Sequence, residues 1–271
     1  MGHMDHFSAG WVTPVLSYAM ACVGSALGLR CTVRALEADG SSKRNWLTLA
    51  SFAIGSGIWT MHFVAMMGFS VEGTPIRYDV PLTVLSLVMA IAVVSAGVFT
   101  AGYGRSRIMS VALGGLGTGV GVAAMHYAGM AALNLHGTVG YDPFLVVTSV
   151  VIAVVAATAA LTLTLIVRGP FLAAVAALVM GLAVSSMHYT AMYAVDVRLA
   201  PSSAELPGAT ATEFLFPLAV VLGSFLFLTS AYVALSPTGK RAESVAAELL
   251  REVELSTATA ATPAPATTAT A

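Results

Sequence analysis

The chain has 271 residues, 58% of them hydrophobic and only 9% charged, and its 12 Lys and Arg nearly balance its 13 Asp and Glu. A soluble domain needs a polar surface that this composition lacks, and nucleic-acid binding needs a basic field that it does not supply. The solvent of such a chain is the lipid bilayer.

In chain order, residues 1–10 form a leader without an expected regular structure, and its His3 and His6 are candidate auxiliary metal ligands. Seven apolar stretches follow at about 11–29, 46–69, 80–101, 108–133, 144–167, 171–195 and 214–235, each about the length of a membrane-spanning helix. The first begins at Trp11 with neither a basic leader nor a small-residue cleavage pattern, which reads as a retained helix rather than a signal peptide. Residues 236–271 form a tail. Its segment 239–255 has helix-forming composition with Val245, Leu249 and Val253 on one face, a docking helix for a partner or a helix resting on the membrane. The remainder is dominated by Ala, Thr and Pro, a disordered composition.

Basic residues set the expected orientation. With the N-terminus outside, Arg30, Arg34, Lys43, Arg44, Arg105, Arg107, Arg168, Lys240, Arg241 and Arg251 fall on the cytoplasmic side, and only Arg77 and Arg198 outside. Helices 2, 4 and 6 then end at the outer face.

Those three ends carry near-copies of one motif: Met61-His62-Phe63-Val64-Ala65-Met66, Met125-His126-Tyr127-Ala128-Gly129-Met130 and Met187-His188-Tyr189-Thr190-Ala191-Met192. A glycine stands six residues before each first Met, at Gly55, Gly119 and Gly181, so the chain is an internal repeat. The units, about 11–70, 80–133 and 144–196, each hold two spans and therefore share one orientation. The expected fold is all-α: a polytopic bundle of seven transmembrane helices, built from three parallel two-helix repeats and a peripheral helix 7 at about 214–235. Pseudo-threefold packing would bring helices 2, 4 and 6 together.

At about 100° per residue, the His and both Met of each motif share one arc of their helix. The glycine seven residues before each His falls in that arc. It is expected, with Gly57, Gly121 and Ala183, to let the motif helices approach one another closely. The converging set is His62, His126 and His188 with Met61, Met66, Met125, Met130, Met187 and Met192. Imidazole with thioether suits copper, Cu(I) above all, as one or two ions. No acidic residue belongs to the repeat, which disfavours calcium, magnesium and carboxylate-bridged iron, and zinc ranks lower without Cys or carboxylate. A lone histidine in a membrane helix is more often a packing residue; three equivalent ones at one depth shift the balance towards function. Phe63, Tyr127 and Tyr189 read as interface anchors or a wall over the site. Cys22 and Cys31 lie about 13.5 Å apart along a helix, too far for a disulfide, and read as fillers. His136 reads as solvated, and Asp79, Asp142 and Asp196 as interfacial or capping groups.

Helix pairs ending in Met-His-Tyr-Thr or close variants resemble the MHYT domain, a bacterial membrane module of three such repeats. Residues 187–190 are the literal signature; Phe63 replaces its Tyr in the first copy, and Val64 and Ala128 replace its Thr in the first two. The resemblance covers about residues 11 to 235. It implies a plasma-membrane sensor whose motif residues coordinate copper and through it sense oxygen, carbon monoxide or nitric oxide. Members often carry cyclic-di-GMP synthesis or hydrolysis domains, whereas only a short tail follows helix 7 here. The expectation is a signalling protein without enzymatic output of its own, acting on a cytosolic partner through that tail. Rival readings are copper transport, haem ligation by two of the histidines, and a metal-free scaffold. Transport would favour a deeper ladder of soft ligands, but only Met20, Met89 and Met180 lie further in.

Overall fold

The computed structural model describes residues 4–5, 8–166, 169–200, 202, 204–235, 248–251 and 253. Seven long helices dominate it: α1 (Val12–Leu36), α2 (Gly40–Met66), α3 (Val80–Tyr103), α4 (Arg107–Ala131), α5 (Pro143–Ile166), α6 (Pro170–Tyr193) and α7 (Phe216–Leu235). Each is long and apolar enough to cross a membrane; the protein is all-α and multi-pass. Two helices run well beyond the apolar stretches that mark them in the sequence: α1 continues from 29 to Leu36, and α2 starts at Gly40 rather than 46. Hydropathy reports the thickness of lipid, whereas hydrogen bonding sets a helix end. The added turns carry Arg30, Arg34, Lys43 and Arg44. The Arg34 guanidinium lies 4.9 Å from the Trp46 ring centre and the Lys43 ammonium 4.9 Å from that of Tyr103.

The helices α1 to α6 form a closed ring in chain order, each packed along two neighbours, with α6 returning to α1. Odd and even helices alternate. The even helices α2, α4 and α6, which carry the motif, meet one another at only a few points. Helix α7 stands outside the ring, mostly exposed, with Leu226 and Val233 buried and the Val233 carbonyl accepting a 2.7 Å bond from Arg34 Nη2. At the end of α5, Gly169 takes a left-handed φ of 84° that L side chains rarely adopt, and α6 starts at Pro170.

The alternation changes the role expected for the small residues. They seat odd helices, not one another's even helices. A Cβ on Gly55 would lie 2.8 Å from the Ile91 Cα of α3, one on Gly119 would overlap the Val154 backbone of α5, and one on Gly181 would lie 2.6 Å from Cys22 Sγ of α1. Gly57 faces Gly24 of α1 and Gly121 faces Val93 of α3. Helices α2 and α4 thus each offer one glycine to the odd helix of their own repeat and another to that of the next, and α6 offers Gly181 to α1. Ala183 is half-buried on α6. Once an odd helix stands between every two even ones, the even helices reach the axis only through their longer side chains.

Three short ribbons close the motif end: β1 (Met4–Asp5) on β2 (Ser70–Val71), β3 (Arg77–Tyr78) on β4 (Leu133–Asn134), and β5 (Gly137–Tyr141) on β6 (Val195–Leu199), all antiparallel. The leader is therefore partly structured, since Met4 and Asp5 pair with Val71 and Ser70. The threefold repeat continues into the backbone. The amides of Ser8, Asp79 and Asp142, just before each odd helix, donate to the carbonyls of Gly68, Ala132 and Ala194, each six residues after a motif histidine, at 3.0, 2.8 and 2.8 Å. The Asp79 and Asp142 carboxylates cap α3 and α5, accepting from the amides of Leu82 and of Phe144 and Leu145. By itself, the segment Ala234–Ala271 holds helical residues at 248–251 and 253. The rest of the expected tail helix, and His3 and His6, lie outside the described residues.

Candidate metal centre

The three motif histidines converge on the ring axis. Nδ1 of His62 lies 3.1 Å from that of His126 and 3.1 Å from that of His188, and the last two are 3.3 Å apart. Each residue is 1% exposed. The rings stand nearly perpendicular to one another, with interplanar angles of 76–80° and centroids 4.7–5.1 Å apart. The six motif methionines are all buried as well. By helical register Met66, Met130 and Met192, four residues beyond each histidine, lie one turn towards the motif end.

Hydrogen bonding alone leaves this triangle in conflict. A neutral imidazole nitrogen carries either the proton or the lone pair, so of three mutually facing nitrogens at least one pair must set two donors or two acceptors against each other. A single cation facing three lone pairs removes the conflict. The triangle also has the right size: its centre lies about 1.8 Å from each corner, close to the roughly 2.0–2.1 Å of an imidazole–metal bond. Buried, nearly equidistant and free of carboxylates, the three nitrogens fit a borderline or soft metal ion. The other nitrogens of His62 and His126, Nε2, are buried without partners. The His62 ring lies against Gly129, where a Cβ would come within 2.5 Å of Nε2; the corresponding positions are Ala65 and Ala191.

An outer ring of hydroxyls supports the triad, and the sequence reading missed it. Tyr127 Oη lies 2.8 Å from Ser149 Oγ of α5, and Tyr189 hydrogen-bonds Ser17 of α1. The equivalent serine on α3 is Ser86, but the first motif has Phe63, which carries no hydroxyl. The indole N–H of Trp59, one turn earlier on α2, takes over and donates to Ser86 Oγ at 2.9 Å. All three serines also bond the carbonyl three residues back, those of Pro14, Thr83 and Val146. The signal in the sequence was a serine in the first two turns of each odd helix and a tryptophan beside the one motif without tyrosine. Above this layer, the Tyr78 ring packs edge-on to Phe63 and that of Tyr141 to Tyr127. Burial raises both Tyr78 and Tyr141 above the ordinary phenol range, so these covers stay protonated and uncharged.

The Trp59 substitution gives a test. Trp59→Phe is expected to cost about 2–3 kcal/mol: about 1 for the donor that Ser86 loses and the rest for the cavity left by a fully buried indole. Adding Phe63→Tyr should recover about 1 kcal/mol of that loss by rebuilding the Tyr–Ser pair of the other repeats. Thermal unfolding of the single and double variants in detergent reads both effects. A double variant no more stable than Trp59→Phe would sink the equivalence.

A family model described as a bacterial signalling protein N-terminal repeat, MHYT, matches residues 55–114, 119–177 and 181–247. The chain belongs to the MHYT family. Its three matched windows begin at Gly55, Gly119 and Gly181, the glycines that seat the following odd helix. The third window runs through α7, so the helix that follows α6 in sequence stands outside the ring while α1 fills the corresponding place. Curated relatives include MucR of Pseudomonas aeruginosa, a bifunctional diguanylate cyclase/cyclic di-GMP phosphodiesterase, 39% identical over 150 residues that make up 55% of this chain and 22% of the relative. NbdA of the same organism, a cyclic di-GMP phosphodiesterase, is 37% identical over 57% of this chain and 19% of its own. The signalling protein YkoW of Bacillus subtilis is 32% identical over 52% and 17%. The match thus spans about a fifth of these relatives' length. No solved structure matches the chain.

Proposed function

We propose that this MHYT protein is a sensory module of the bacterial plasma membrane in which His62, His126 and His188 hold one copper ion near the outer face. The ion responds to a diatomic gas or reports copper itself. The observation that carries the reading is the triangle of buried Nδ1 atoms, which suits one ion better than any set of hydrogen bonds. Methionines on both sides of the triad offer thioether sulfur to a soft cation, which favours Cu(I). When bound, the ion would supply a redox-active coordination centre. The residues themselves orient the imidazoles, exclude water and set the spacing.

The distribution of basic residues supports an N-terminus outside and a tail in the cytosol, where a signalling partner would read a change in ring packing. Such a ligand acts through a difference in affinity between two packings. The activities of MucR and NbdA in cyclic di-GMP turnover suggest the kind of output to which the module couples. Helix positions below the triad argue against a copper conduit: one and two turns further in stand Ile58, Val122 and Val184, then Ile54, Thr118 and Met180, with a single sulfur among them. Haem fits less well, because nitrogens 3.1–3.3 Å apart leave no space for a porphyrin between axial ligands.

Elemental analysis of protein purified in mild detergent, compared with a His62→Ala, His126→Ala, His188→Ala variant, tests the reading. Copper near one ion per chain, absent from a folded triple variant, is expected. Protein that takes up no copper on titration, or holds zinc instead, would overturn the copper assignment.

A further inference from the structure

Inward of the triad lies a cavity of about 60 Å³ to which all six ring helices contribute. Its walls repeat with the fold. The residues four positions before the three histidines, Ile58, Val122 and Val184, form one tier, and those eight before, Ile54, Thr118 and Met180, form the next. At about 1.5 Å per residue, these tiers lie some 6 and 12 Å below the imidazoles along the same helix faces. The space exists because α5 turns small side chains inward, Ala153, Ala157 and Ala160 among them, opposite the branched residues of α2 to α4. Met187, the residue before the third histidine, also lines it.

The chemistry of this chamber selects its occupant. The lining is almost wholly apolar. Of its hydroxyls, those of Ser25, Thr118 and Thr164, that of Thr164 donates to the Leu161 carbonyl at 2.7 Å, while Thr118 Oγ1 is buried without a partner among the described residues. A buried water wants two to four polar partners, and apolar cavities stay dry and admit molecules such as xenon. A cavity of about 150 Å³ admits benzene, so this smaller one suits molecules of two or three heavy atoms. We propose that the chamber is a binding site for a small, uncharged, apolar molecule held beneath the imidazole triad. The occupant enters the ring core where the three motif helices converge, and so bears on the spacing of the histidines. The link from occupancy to signalling rests on the sensory reading above; the binding site does not.

Xenon is the probe, because it is uncharged, monatomic and takes no part in metal ligation. Hyperpolarised-xenon exchange spectra on the purified protein are expected to show one saturable bound population. Ala157→Leu fills the chamber from α5 and should lower xenon affinity about tenfold or more while leaving copper content unchanged; Ala160→Leu repeats the test should the first variant fold poorly. No saturable xenon in the parent, or undiminished binding in both folded filled variants, would overturn the chamber. Xenon bound by a parent that takes up no copper supports the chamber while removing the metal reading. Copper bound without xenon overturns the chamber alone.

Discussion

Replacing any one of the three histidines with alanine is expected to abolish copper binding almost as fully as replacing all three. The reason lies in the geometry. His62, His126 and His188 come from different repeats, yet their Nδ1 atoms lie within 3.1–3.3 Å of one another, so they have one common centre to share. Removing a ligand from a shared centre should weaken affinity by more than the roughly 10–100-fold that loss of a mere outer-shell partner costs. The competing arrangement gives each motif its own ion, held by its His and the Met four residues on. Each single variant would then keep about two thirds of the metal. Copper per chain at saturation, measured for His62→Ala, His126→Ala and His188→Ala, separates the two, and partial retention in all three would sink the shared centre. The variants should still fold, because alanine removes a buried polar ring whose hydrogen bonding is already in conflict, at the cost of a small cavity.

What the sequence made legible was what repeats. Seven spans, three parallel units and one depth for the histidines follow from apolar length and from motif spacing, and the ring obeys all three. Spacing along a helix gives an angle, however, and not what stands across from it. Gly55, Gly119 and Gly181 share an arc with the histidines, so they were expected to join the even helices; the ring inserts an odd helix at every such position, and they seat Ile91, Val154 and Cys22. The serines escaped notice for a different reason. Ser17, Ser86 and Ser149 are single small residues in apolar helices, where serine is common packing material, and only the hydroxyl opposite gives them meaning. Trp59 was hidden because its partner is set by what Phe63 lacks. The leader strand of two residues is held by backbone bonds, which leave no mark on composition.

Stability of the ring should depend on those glycines far more than on glycine as such, and α4 carries an internal control. A Cβ on Gly119 would overlap the Val154 backbone and stand 2.8 Å from the Ala153 carbonyl oxygen, whereas one on Gly117 would meet nothing within 4 Å. The obstruction at Gly119 is main chain on a packed helix, so no side-chain rotamer can relieve it. Gly119→Val is expected to cost about 3 kcal/mol or more, the upper range for overpacking, because α4 must back away from α5 along its length. Gly117→Val carries the same change in propensity at an exposed position and should stay within about 0.5 kcal/mol of the parent. Thermal unfolding in one detergent compares them directly, and equal midpoints would mean that the helices are not seated as described. Copper affinity adds the functional half of the argument. His126 lies two turns beyond Gly119 on the same helix, so a displaced α4 carries one corner of the triad outwards. Gly119→Val should therefore bind copper less tightly than Gly117→Val even at temperatures where both are folded. The same coupling, run in reverse, is how a ligand at the triad would be felt at the packing of the ring.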